Sequence, residues 1–201
     1  MVDLTDRQPL CTGDTRAQLT GGDVAITQQP RTSFLLLCGP DDVVSGAAFR
    51  AAVLKATALA LPQDPRTAAA AQGRAALWLS PGRWLIRMES EELAAVTASL
   101  DAVAADFDSF LADLSHQYTV FSVAGSRARS LLARGCSLDL RPENFSKGHY
   151  AQTLLGELPL LIQQTDDTPG YDLIVDQSLA TFAWWWLADQ VTCCPVPGEE
   201  A

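Results

Sequence analysis

One order of elements occurs twice in this chain, and that weak repeat constrains the fold more than any single motif. The openings compare as FLLLCGPDD from Phe34 and VFSVAGSRA from Val120, the closings as RWLIRMESEELAAV from Arg83 and YDLIVDQSLATFA from Tyr171. Each half reads strand, helix, two strands, helix. The repeat predicts a duplicated α+β unit with antiparallel sheets, two ferredoxin-like βαββα halves at about 31–110 and 111–190.

In the first half, the run Phe34–Cys38 has strand length, and Gly39-Pro40-Asp41-Asp42 supplies a turn, a proline for the first helical position and carboxylates for the positive helix end. A helix is expected from about Asp41 to Leu61, with Val44, Ala47, Ala48, Ala51 and Leu54 as its apolar face. Pro62–Arg74 carries two prolines and a small-residue tract and is expected to be a surface loop. Ala75–Leu79 and Trp84–Met88 form a hairpin, and Ser90 is placed to cap a helix whose Leu93, Val96, Leu100, Val103 and Phe107 step by 3 and 4.

In the second half, Tyr118–Ala124 is a strand, Ser126 a capping residue, and Ala128, Leu131 and Leu132 the buried stripe of a short helix stopped by Gly135. Thr153–Gln164 and Tyr171–Val175 are two further strands, and Ser178 caps a last helix through Gln190. Residues 1–30 form a peripheral arm with one short strand at Asp23–Thr27, residues 31–190 the duplicated domain and 191–201 a frayed tail.

Charge narrows the partners. Twenty-four acidic residues against fourteen basic ones give a net charge of −10, which repels nucleic acid and anionic membrane. The five cysteines, Cys11, Cys38, Cys136, Cys193 and Cys194, are odd in number and lack zinc or disulfide-framework spacing. With no basic and apolar leader and no spanning apolar run, a soluble chain in a reducing cytoplasm is expected.

Few residues invite chemistry. Ser115 and His116 are neighbours on a presumed strand and point to opposite faces, so His116 is expected to be buried or at an interface. Cys136 and His149 are a thiol and a base that a stand-alone small-molecule enzyme would have to bring together. Asp139 and the pair Asp166-Asp167 are the most suggestive carboxylates, the pair lying in a TDDTPG turn that favours Asx-type bonds. On the last helix, Leu179, Phe182, Ala183, Trp186 and Leu187 share a face, which puts Trp184 nearly opposite and Trp185 on a flank. An exposed Trp184 would anchor a protein partner unless another segment of the chain covers it.

These residues also carry a resemblance. Asp113-Leu114-Ser115-His116, the strand ending at Gly125, the helix after it and YAQTLL from Tyr150 resemble the folate-binding aminomethyltransferase fold, the T-protein of glycine cleavage. GSRARSLLARGCSLDLRPENF from Gly125, TLLG from Thr153, the closing YDLIVDQSLATFAWWWL and WLSPGRWLI from Trp78 look like the gamma subunit of heterotetrameric sarcosine oxidase. That resemblance implies a structural subunit without its own active site, assembled with alpha, beta and delta subunits. It places FAD, FMN, NAD, zinc and tetrahydrofolate in those partners. The implied reaction is oxidative demethylation of sarcosine to glycine, hydrogen peroxide and formaldehyde or methylene-tetrahydrofolate.

Trp184, Trp185 and His149 are the partner-binding candidates under that reading, and no catalytic, cofactor or metal residue is assigned. In the folate enzymes an acidic pair precedes the strand after the YxxLL segment; here that place reads Gly156-Glu157, and a shifted alignment offers Asp172 beside Tyr171. A second resemblance, to the folate-dependent iron–sulfur maintenance protein, rests on the frame from Lys147 to Thr153, where His149 stands in place of the signature cysteine.

Overall fold

The computed structural model describes residues 18–21, 23–29 and 32–192. Cys11, Cys193, Cys194 and the tail beyond Thr192 lie outside the described residues, as does most of the arm at 1–30. In chain order the elements begin with β1 (Gln18–Gly21), β2 (Val24–Gln29), β3 (Thr32–Cys38), α1 (Ser45–Thr57), β4 (Ala68–Ala71), β5 (Arg74–Ser80) and β6 (Arg83–Glu89). They continue with α2 (Leu93–Ala104), β7 (Phe110–Asp113), β8 (Tyr118–Ala124), α3 (Ala128–Leu132), β9 (Tyr150–Leu155), β10 (Leu158–Asp166), β11 (Gly170–Asp176) and α4 (Ala180–Thr192).

Two compact units result, one of residues Arg31–Tyr118 with Gly148–Ala151, the other of Thr119–Lys147 with the N- and C-terminal parts of the chain. Their sheets have the same internal plan. One runs β4-β5-β6-β3-β7 and the other β1-β2-β8-β11-β10-β9. The strand that opens each half, β3 or β8, is thus central, beside the last strand of its half and flanked on the other side by β7 or β2. The pairings β3 with β6, β3 with β7, β5 with β6 and β10 with β11 are all antiparallel, as the repeat predicts.

The arm is more than peripheral where it is described. β1 and β2 form an antiparallel hairpin, and β2 pairs with β8. Val24, Ile26 and Gln28 alternate as buried positions, so period-two burial extends beyond the predicted Asp23–Thr27.

The core of the β3 unit is built by large side chains. Phe49 of α1 stacks at 6.1 Å from Trp84 and at 5.4 Å, edge to face, from Phe107. Val53, Leu35, Leu37, Ile86, Val96 and Leu100 complete the same cluster. The Trp84 indole donates to Pro62 O at 2.7 Å, so the buried N–H is satisfied by the segment after α1.

Here three expectations are corrected. α1 ends at Thr57 because Ala58 turns left-handed, φ 56°, its N–H closing on Leu54 O, and Leu59 and Leu61 are buried as irregular chain. The buried stripe of α1 is Gly46, Phe49, Val53 and Thr57 rather than Val44, Ala47, Ala48, Ala51 and Leu54, which face outward. Bulk decides this, since Phe49 fills volume that three alanines cannot. The presumed loop Pro62–Arg74 contains β4, joined to β5 by Gln72-Gly73 with φ of 53° and 77°, the two positive values a tight hairpin turn requires.

In the β8 unit, Thr153–Gln164 is two strands and not one, because Gly156 at φ 62° reverses the chain between β9 and β10. None of Ser90, Ser126 and Ser178 caps as expected. Ser90 accepts from the Ser33 hydroxyl at 2.9 Å, α3 has no side-chain cap, and Asp176 caps the turn before α4 by accepting from Ser178 N at 2.9 Å.

Candidate functional site

The sequence candidates are each taken up by local structure. Leu114–Gln117 is a turn rather than strand, with Gln117 N donating to Leu114 O at 2.9 Å. Asp113 Oδ1 accepts from Ser115 N at 2.9 Å and from Ser115 Oγ at 2.6 Å, and Ser115 Oγ in turn accepts from Phe34 N at 3.2 Å. The Ser115 hydroxyl and amide, with His116 nearby, hold the Asp113 carboxyl below its usual range. Ser115 therefore ties this turn to β3, and His116 is exposed, which removes the buried half of the expectation and leaves the interface half.

Cys136 and His149 fall in different units, each with partners of its own. Cys136 is buried, its backbone bridges Leu155, and its Sγ lies 3.7 Å from Thr153 Oγ1. His149 is half-buried, in a β-bridge to Thr67.

The carboxylates serve turns as well. Asp139 takes Arg141 Nε at 2.9 Å and NH2 at 2.5 Å, together with Asn144 Nδ2 at 2.6 Å, and the Arg141 guanidinium holds its carboxyl far below the usual range. Asp166 accepts from Thr168 N at 3.2 Å, the Asx turn that TDDTPG predicts. Glu157 sits in the β9–β10 turn.

Asp172 is 5% exposed and accepts from the Ser122 hydroxyl, which itself accepts from Gln29 Nε2 at 2.5 Å. β2, β8 and β11 are thereby tied by one polar relay across their common face. The carboxylate that the shifted alignment offers to a folate is thus engaged in holding three strands in register, and its neighbour Tyr171 accepts from Arg129 Nε at 3.2 Å. These residues do not reproduce an acidic pair for a folate nitrogen.

Of the two alternatives for Trp184, cover by another segment of the chain is the one the structure shows. Trp184 is 2% exposed, with its ring 5.8 Å from Phe121 of β8. The buried face of α4 is Ala180, Ala183, Trp184 and Leu187, turned by about one residue, roughly 100°, from the face read off the sequence. Trp186 lies on the flank, where Gly135 leaves room for it: a Cβ there would meet the indole at 2.5 Å. Trp185 is the tryptophan left outside, 48% exposed, next to Phe182 at 50%.

A larger exposed apolar surface was read from the sequence as an apolar face but assigned to the core. α1 is apolar on both sides: Val43 is 90% exposed, Val44 79% and Leu54 48%, with Ala47, Ala48 and Ala51 exposed between them. An all-round apolar helix in a chain with this much charge is the cue. Among the described residues no helix is long and apolar enough to span a membrane, and no cluster of His, Cys, Asp and Glu has the makings of a metal site.

The twin antiparallel sheets are a fold shared with an aminomethyltransferase of the glycine cleavage system. Aminomethyltransferase T of the glycine cleavage system from Bartonella henselae aligns with a TM-score of 0.60 over 84% of this chain and 46% of that one, at 15% identity, a likeness of fold alone. Within that fold the chain belongs to the sarcosine oxidase, gamma subunit family, which residues 41–193 match. Sarcosine oxidase subunit gamma from Corynebacterium sp. (strain P-1) is 29% identical over 178 residues, 88% of this chain and 85% of that protein. The Arthrobacter sp. subunit gamma is 33% identical over 132 residues, 65% of this chain and 64% of that protein. A chain of the heterotetrameric sarcosine oxidase from Corynebacterium sp. U-96 aligns with a TM-score of 0.77 at 25% identity, covering 87% of each.

Proposed function

We propose that this chain is a non-catalytic structural subunit of a cytoplasmic sarcosine-oxidase-type complex, working with alpha, beta and delta subunits. The complex oxidatively demethylates sarcosine to glycine, hydrogen peroxide and formaldehyde or methylene-tetrahydrofolate. FAD, FMN, NAD, zinc and tetrahydrofolate are held by the partner chains. The observation that carries this reading is the family match, which runs from Asp41, ahead of α1, past the end of α4. The engagement of Ser115, Cys136, Asp139, Asp166 and Asp172 in turns and strand pairing supports the non-catalytic part, since each already serves the scaffold.

The test is co-expression with candidate alpha, beta and delta subunits. A stoichiometric complex that oxidises sarcosine only when the partners are present is the expected result, with the purified chain colourless and inactive by itself. Flavin, folate binding or sarcosine oxidation by the lone chain would overturn the non-catalytic reading. Failure to enter any complex would overturn the subunit reading.

A further inference from the structure

The outward face of α1 begins with the most exposed large apolar side chains among the described residues, Val43 at 90% and Val44 at 79%. From Val44 through Leu54 its outer arc is Val44, Ala47, Ala48, Ala51 and Leu54, with Ser45 at its start, Arg50 drawn aside toward Asp41 and Lys55 just beyond it, in a chain that carries 24 acidic and 14 basic residues. Surface helices normally place their charges on that side, and a helix apolar all round is one that becomes covered.

The face is also held ready. Asp42 Oδ1 accepts from Val44 N at 2.9 Å and Ser45 N at 2.8 Å, and Arg50 reaches Asp41 at 3.9 Å. Gly46 is packed so closely that a Cβ would stand 2.9 Å from Pro40 O. The exposed valines therefore project from a fixed corner and lose little freedom on docking.

We propose, resting on the subunit reading above, that Val43, Val44, Ala47, Ala48, Ala51 and Leu54 dock against an apolar helix of a non-identical subunit of the complex, one with basic residues at its margin. The alanines allow a partner helix to approach at the close end of the usual interaxial range, about 8 Å. Asp41 and Asp42 rim the valines, which selects a partner with positive charge beside its apolar stripe. A second copy of this chain is the poorer occupant, because two chains of net charge −10 repel and would bring the same acidic rim to the contact. The structural relative of TM-score 0.77 comes from a heterotetramer, an assembly of unlike chains.

The test uses the co-expressed complex. Ala48→Glu and Ala51→Glu keep helix-favouring residues on the outer face, and the double variant should bind its partners at least tenfold more weakly while the isolated chain keeps its unfolding midpoint. Val44→Ala with Leu54→Ala, which adds no charge, should weaken binding in the same direction. Wild-type assembly with undiminished assembly of both variants would overturn the proposal. So would a loss of self-association by the isolated variant chain in sedimentation with the hetero-complex intact. If the wild-type chain itself joins no complex, the subunit reading fails first, an outcome distinct from both.

Discussion

α1 and α4 are each thirteen residues long and each apolar on more than one side, yet they use their outer faces differently. α4 buries Ala180, Ala183, Trp184 and Leu187 and exposes Phe182 and Trp185 between polar Thr181 and Asp189. α1 buries Gly46, Phe49, Val53 and Thr57 and exposes Ala47, Ala48, Ala51 and Leu54, with Ser45 and Lys55 at its ends and Arg50 drawn aside toward Asp41. In both helices the bulkiest aromatic that can reach the sheet goes inward. What remains outside is a broken patch on α4 and a continuous one on α1, so α1 is the stronger docking surface.

The contrast between inner and outer positions is the easiest to break. Phe49→Ala and Trp184→Ala should each lower the unfolding free energy of the isolated chain by about 3–5 kcal/mol, read as a fall in urea midpoint. Ala51→Glu and Trp185→Ala should change it by no more than about 0.5 kcal/mol. Equal losses at Trp184 and Trp185 would mean that α4 does not seat the way Phe121 and Trp184 indicate. Trp184→Phe should cost much less than Trp184→Ala, because it keeps the ring against Phe121 and removes an indole N–H that finds no acceptor among the described residues.

Next in size is the corner that presents the α1 valines. Gly39→Ala would put a methyl 2.3 Å from Phe49 Cε1, and its overpacking should cost about 1–3 kcal/mol in the same urea titration. α4 has a parallel in Gly135→Ala, which would press on Trp186. A larger loss at Gly39 than at Gly135 would say that α1 is seated more rigidly than α4.

The smallest effect separates the two units by pH. Asp113 in one and Asp176 in the other each have a carboxyl held below its ordinary value, first by a serine side chain and then by that serine's backbone N–H. A depressed folded-state value means that the stabilisation is complete above the unfolded value near pH 4 and is lost as pH falls through the lower folded value. The urea midpoint should therefore drop below about pH 4. Asp113→Asn and Asp176→Asn should each flatten part of that drop, and a pH profile unchanged in both variants would remove these turns from the acid response.

Much of this was legible in the chain. The repeat predicts both sheets because apolar runs of strand length such as FLLLC and VFSVA are a local property of buried strands, and the stepped Val96, Leu100 and Val103 of α2 are buried as their spacing requires. The Asx turn at Asp166 was readable for the same reason, whereas Gly135 does not stop α3: the helix ends at Leu132 with Ala133 as its right-handed cap, and Gly135 instead leaves room for Trp186. β4 was hidden because AAAA has weak strand preference and is recruited only by pairing with β5. Ser115 and His116 were misread because a carboxylate two residues upstream turns the chain there. The candidate site residues dissolved similarly: Cys136 bonds toward Thr153, and Asp172 toward Ser122, a residue fifty positions away.

By itself the sequence determined the order and kind of most of the elements, though not β4 or the division of β9 from β10, together with the repeat and the family, since these rest on local periodicity and on residue identity. Which side of α1 and α4 faces inward was decided by tertiary structure. A helix apolar on two sides offers two burial solutions of similar hydrophobic gain, and the choice follows from which side chains fill the volume above the sheet, Phe49 against Trp84 and Trp184 against Phe121. That choice left Val44 and Leu54 outside, and with them the surface this chain offers a partner.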